Sequence, residues 1–166
     1  MKKTRFAEKV LYLDFDGVLH HEEVYFHPRR GIYINAPGRV LFEWMPILED
    51  LLTPYPEVAI VLSTSWVRVR RYDYTKKQLS PELQKRVIGA TFHNREMRKD
   101  EFVLKSRGLQ IAEDVYRRAP HAWFAIDDDY LGWPEWCRGN LIRTDGTIGI
   151  SAPKIQEDIR TMLSRL

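Results

Sequence analysis

The sequence has a single cysteine, Cys137, so an internal disulfide is excluded and a reducing compartment is expected. It has no C-x-x-C pair and no H-E-x-x-H spacing. That removes the common zinc frameworks and leaves His20, His21 and His27 as loop histidines. Long apolar runs are missing too: none approaches the ~18–20 residues of a membrane span. A basic start, Lys2, Lys3 and Arg5, is followed by Val10–Leu13 before Asp14 interrupts, too little apolar chain for a secretory signal. A cytoplasmic protein without membrane contact is expected. Repeats, low-complexity segments and linkers are also lacking, so residues 1–166 read as one domain.

Neither sign of charge dominates. The chain has 26 Lys/Arg against 23 Asp/Glu, a net charge of +3, and a pI near 9.0. This mild basic excess suits an anionic partner without demanding one. With 44% hydrophobic and 30% charged residues, the composition is that of a globular chain and argues against disorder.

What is present is a series of short apolar runs, each ending in polar residues. Val10–Leu13 ends at Asp14-Phe15-Asp16-Gly17, Val58–Leu62 at Ser63-Thr64-Ser65, and Ala122–Ile126 at Asp127-Asp128-Asp129. A weaker run, Asn140–Ile142, precedes Arg143-Thr144-Asp145-Gly146. Continuous apolar strands suit a sheet covered on both faces. Helical patterns lie between them, over Gly38–Leu52 with a bend at Pro46, Pro81–Ile88 behind Ser80, Ser106–Arg118, and Ala152–Leu166. The apolar positions of Ser106–Arg118 are Leu109, Ile111, Ala112, Val115 and Tyr116. The alternation predicts an α/β fold, a Rossmann-like three-layer α/β/α arrangement around a central parallel sheet. In such sheets the ligand crevice lies outside the carboxyl ends of the strands. The polar tips therefore converge on one place.

Each tip has a chemical reading and a plain one. Asp14 and Asp16 flank a turn that Gly17 tightens, giving a nucleophile or metal ligand beside a proton donor and acceptor, or else a solvated turn. A hydroxyl of Ser63-Thr64-Ser65 can hold a phosphate oxygen, or can cap a helix. Three adjacent carboxylates at a buried tip repel one another and call for a compensating cation. Hard oxygen ligands suit magnesium. The plain alternative is an acidic loop in water.

In order and in strand context, these motifs resemble the haloacid dehalogenase-like superfamily of phosphohydrolases, and the likeness spans most of the chain. DFDGVL after the first strand looks like its first motif, the hydroxyl after VAIVL like its second, and Ile126-Asp127-Asp128 like its fourth. LSTSW and AIDDDY are further similar to small bacterial domains related to the phosphatase modules of Swiss-army-knife RNA repair proteins. The resemblance implies a nucleophile at Asp14 and a general acid and base at Asp16. It implies a phosphate-binding hydroxyl at Ser63, or at Thr64. Asp127, with Asp128 in support, would complete a magnesium site alongside Asp14, Asp16 and a main-chain carbonyl. The cation of the third motif falls to either Lys105 or Arg107, and only one of them is expected to reach the site.

The intervals between motifs look too short for a large cap domain, which implies an open site and a bulky phosphorylated substrate such as a nucleic-acid end or a protein. Residues Trp66–Arg118 hold 14 Lys/Arg against 7 Asp/Glu, with Trp66, Tyr72, Tyr74 and Phe92 interleaved. These are the ingredients of a single-strand groove, or of a solvated helical face. Trp123, Trp133 and Trp136 read as core or rim packing. The leading expectation is a magnesium-dependent phosphatase acting through an aspartyl-phosphate. The alternatives are a phosphotransferase or related hydrolase acting on a small metabolite, and a non-catalytic phosphate-binding module.

Overall fold

The computed structural model describes residues 8–166, so the basic start at Lys2, Lys3 and Arg5 lies outside the described residues. Five parallel strands form the central sheet: β1 (Lys9–Leu13), β4 (Val58–Leu62), β5 (Val87–Ala90), β6 (Ala122–Asp127) and β7 (Leu141–Arg143), in the order β5-β4-β1-β6-β7. Two further strands, β2 (Val24–His27) and β3 (Gly31–Ile34), pair as a separate antiparallel hairpin.

Alternation along the strands separates two cores. Leu11 and Leu13 of β1, Ile60 and Leu62 of β4, and Phe124 and Ile126 of β6 point to one face. There they meet α1 (Met45–Leu52) through Leu48, Leu51 and Leu52, and α7 (Pro153–Arg165) through Ile159 and Leu163. Val10, Tyr12, Val61, Trp123 and Ala125 point to the other, against Ile111 of α6 (Arg107–Arg118) and Trp133. Because both faces are covered, these strands are apolar throughout and legible as such. The three-layer α/β/α expectation holds. No helix among the described residues is long and apolar enough to cross a membrane.

Several boundaries differ from those the sequence pattern predicts. The helix expected over Gly38–Leu52 begins only at Met45, and Pro46 sits in its first turn rather than at a bend, where its missing N–H costs nothing. The helix expected over Pro81–Ile88 is a four-residue turn, α4 (Pro81–Gln84), capped by the Ser80 hydroxyl. Strand β5 begins inside that stretch, at Val87, against expectation. On α6, Leu109 and Tyr116 are exposed although the periodicity places them on the apolar face, and Ile111 and Ala112 make the contact. Trp123 and Trp133 are core as expected, while Trp136 is an exposed rim residue packed edge-on against Trp123.

Between β1 and β4 the chain adds only the β2–β3 hairpin and α1. Between β4 and α6 it adds β5 and four short helices: α2 (Trp66–Arg70), α3 (Tyr72–Lys77), α4 and α5 (Lys99–Leu104). Neither insertion makes a large cap.

Candidate active site

Strand register positions the site. Leu13 of β1 pairs with Leu62 on one side and with Ile126 on the other. The next residue of each strand is therefore level with its neighbours: Ser63, Asp14 and Asp127 stand side by side. Asp128 comes next in the chain, and one carboxylate oxygen from each of Asp14, Asp127 and Asp128 lies within 4.8 Å of the others. Asp14 and Asp127 are buried and Asp128 is partly so.

Carboxylates this close destabilise one another's charge. Burial, then the Asp127 charge, pushes Asp14 well above the usual carboxylate range, and Arg107 offsets part of the rise. Burial raises Asp127 to about 6 against the pull of Arg107. Asp128 rises to about 7 through burial and the Asp14 charge. Three carboxylates facing one guanidinium leave negative charge uncompensated. A hard, oxygen-only donor set with excess negative charge fits a divalent cation such as magnesium.

Arg107 is the cation that enters the cluster. Its Nη1 lies 3.3 Å from Asp14 Oδ1 and 3.1 Å from Asp127 Oδ2, and also donates to the Ser63 carbonyl. Burial works to lower Arg107, but Asp14 and Asp127 outweigh it and hold the guanidinium above its ordinary range. It is the first residue of α6, where the Ser106 hydroxyl accepts from Leu109 N at 3.2 Å. Close packing aids the placement: a Cβ on Gly108 would lie 2.5 Å from Trp133 Cα. Lys105 stays outside, its Nζ donating to Glu113 at 2.7 Å on the half-exposed flank.

The two hydroxyl candidates also separate. Thr64 Oγ1 accepts from Trp66 N at 3.3 Å, a local turn that starts α2. Ser63 Oγ is buried with no hydrogen-bond partner, beside the acidic cluster. An orphaned hydroxyl at this position can donate to an anion.

Asp16 is oriented differently from the other aspartates. Its carboxylate is not in the close trio, and its side chain is 28% exposed. Oδ1 accepts from Trp66 Nε1 at 2.8 Å and lies 2.8 Å from His20 Nε2. His20, expected as a loop residue at the mouth, is instead fully buried: its Nδ1 accepts from Phe42 N, and the ring packs edge-on against Phe42. One of its partners, Asp16, is four residues away, but the other is the backbone N–H of Phe42, far along the chain. Trp66, expected among stacking aromatics, is buried too, as is Phe92.

Thr144, in sequence merely one residue of a turn, joins two of the tips. Its Oγ1 donates to Gly17 O at 2.7 Å and its N to Asp127 O at 3.0 Å. Gly17 itself needs to be glycine, having φ +75° and a Cβ position 2.3 Å from Asp128 Oδ2. Asp129 points outward and shapes the loop: its N donates to Asp127 Oδ1 and its Oδ1 accepts from Leu131 N, both at 3.0 Å.

No curated protein and no solved structure gave a significant match to this chain. The sequence model of one family, described as the HAD domain in Swiss Army Knife RNA repair proteins, matches residues 10–155. That match runs from β1 through the start of α7 and includes every strand tip of the site. The chain belongs to this family of haloacid dehalogenase-like domains, which supports a phosphohydrolase in general.

Proposed function

We propose that the chain is a magnesium-dependent phosphatase that hydrolyses phosphomonoesters through an aspartyl-phosphate on Asp14. The observation that carries this reading is the convergence of Asp14, Asp127, Asp128 and Arg107 on one strand edge beside the unpartnered Ser63 hydroxyl. A non-catalytic pocket has no use for a buried, mutually repelling acidic set, which costs stability.

In the first step a carboxylate oxygen of Asp14 attacks phosphorus and the bond to the ester oxygen breaks. Asp16 gives its proton to the departing oxygen, so the alcohol leaves neutral. In the second step Asp16, now a carboxylate, takes a proton from water as it attacks the phosphorus. The acyl-phosphate bond then breaks, freeing phosphate and restoring Asp14. Arg107 and the Ser63 hydroxyl hold the phosphoryl oxygens, where charge develops. Asp14, Asp127 and Asp128 would hold the magnesium ion, which supplies the positive charge that lets a carboxylate approach a phosphate dianion.

The absence of a large cap leaves the site open to a bulky substrate, and the family description makes a phosphorylated nucleic-acid end the foremost class. Phosphate release from an aryl phosphate, with and without magnesium, tests the chemistry. Turnover is expected only with the metal, and Asp14→Asn is expected to lower it on the order of 10³-fold or more. Metal-independent turnover, or an active Asp14→Asn variant, would overturn the reading. A panel of 5′- and 3′-phosphorylated oligonucleotides beside sugar phosphates and nucleotides addresses the substrate class.

A further inference from the structure

The proposed chemistry asks Asp16 to present one oxygen to the leaving group, yet a surface carboxylate on a turn would swing freely. Here it does not. Trp66 Nε1 donates to Oδ1 at 2.8 Å, and His20 Nε2 reaches the same oxygen at 2.8 Å. The histidine tautomer is set by its other nitrogen. Phe42 N donates to Nδ1 at 3.1 Å, so the ring hydrogen sits on Nε2 and points at Asp16. Phe42 adopts φ +59°, a left-handed backbone that phenylalanine rarely adopts, and this conformation accompanies the contact with His20. Both donors are nearly sealed from water, with His20 at 0% and Trp66 at 2% exposure.

The arrangement is also tied to the phosphate-binding loop. Trp66 lies three residues after Ser63, and its own N–H is held by Thr64 Oγ1 at 3.3 Å. The indole packs edge-on against Phe15 and Phe42, which fixes the ring plane. No described residue hydrogen-bonds Oδ2 of Asp16.

We propose that Trp66 and His20 are positioning residues that clamp Asp16 by Oδ1 and so turn Oδ2 toward the ester oxygen of the substrate. This rests on the reading of Asp16 as the general acid. The clamp makes the site suited to aliphatic phosphate esters, including sugar phosphates at nucleic-acid ends, whose alkoxides cannot leave without a proton.

The test is the dependence of kcat/KM on the leaving group, because kcat/KM reports only steps up to departure of the alcohol. Wild type and Trp66→Phe are compared on an alkyl phosphate and on dinitrophenyl phosphate, whose phenolate leaves unaided. Trp66→Phe keeps an aromatic ring and removes the donor, and its thermal midpoint checks folding. His20→Gln repeats the test from the second donor. The alkyl ester is expected to slow on the order of 10-fold or more, part of the 10²–10⁴-fold that a general acid supplies. The dinitrophenyl ester should change by less than about threefold. Equal losses on both esters, or no loss on either, would overturn the clamp while leaving the phosphatase reading intact. An independent readout is the Trp66 indole N–H in NMR, expected to exchange slowly in wild type and faster in Asp16→Ala. Fast exchange in wild type would also overturn the clamp. If wild type turned over neither ester while the indole N–H stayed protected, the catalytic reading would fall and the positioning role with it.

Discussion

Ser63 illustrates how a single side chain can be costly alone and useful with a ligand. A buried hydroxyl without a partner costs about 1–3 kcal/mol, a penalty removed when an anion accepts its proton. The acidic trio carries a similar cost, and this one changes with pH. Asp14, Asp127 and Asp128 all lie above their ordinary range when folded, the last two at about 6 and about 7. The folded protein therefore binds more protons than the unfolded chain between about pH 4 and pH 7. Their favourable contribution is complete below about pH 4 and is lost as pH rises through the folded values. Metal-free protein should melt at lower temperature at pH 8 than at pH 5. Asp128→Asn should flatten that fall and raise the pH 8 midpoint by about 2–4 °C, roughly 1 kcal/mol after allowing for water screening. The same protons must leave before a cation binds, so magnesium affinity should rise over this window, as calorimetry would measure.

At the scale of elements, α6 is the part that brings the cation in, and a buried network sets its rotation. Tyr12 of β1 donates to Asp114 Oδ2 at 2.6 Å, and Arg118 Nε to the same oxygen at 2.9 Å. Burial, then the Asp114 charge, holds the Tyr12 hydroxyl above its usual range, so it remains a donor. Tyr12→Phe should cost about 1–3 kcal/mol, read by denaturant unfolding, by leaving the buried Asp114 carboxylate only its ion pairs with Arg117 and Arg118. Legibility in the sequence also divides by element. β1, β4 and β6 declare themselves because every residue between their ends is apolar. β5 does not: it is an edge strand of four residues with Ile88 exposed and Gly89 in its middle, packed beneath the Arg118 guanidinium. The β2–β3 hairpin escapes for a related reason, since Tyr25 and Phe26 are both exposed and no alternation marks a buried face. Asp14, Asp127 and the pairs Ser63/Thr64 and Lys105/Arg107 stand out in the sequence because strand tips and helix starts are local features. Choosing Arg107 over Lys105, or finding His20 and Thr144, requires contacts between distant segments.

Across the whole molecule, the four aromatics interleaved with the cations of residues 66–118 divide: Tyr72 and Tyr74 are half-buried, and the other two are not available for stacking. Trp66 and Phe92 are inside, and Tyr116, 88% exposed, is the fully open aromatic of that stretch. Tyr25 and Phe26 are exposed on the hairpin, and the Arg70 guanidinium lies between Phe26, at 5.9 Å, and Tyr74 of α3, at 4.4 Å. Binding of a nucleic-acid end would thus lean on charge more than on stacking. The Michaelis constant for a phosphorylated oligonucleotide should rise steeply between about 50 and 200 mM salt, while that for a small aryl phosphate stays nearly flat. Equal salt dependence for both would argue for a small-molecule substrate.

The level register of Asp14, Ser63 and Asp127 also bears on how the chain folds. These residues come from separate segments joined by crossovers, so no local piece of chain holds the complete site. Parallel pairings close long loops before any contact repays them, which makes folding slow. A ligand that needs all three strands in place has little to bind until the sheet has formed. Phosphate or magnesium should therefore leave the refolding rate almost unchanged and act on the unfolding arm, lengthening the life of the native state.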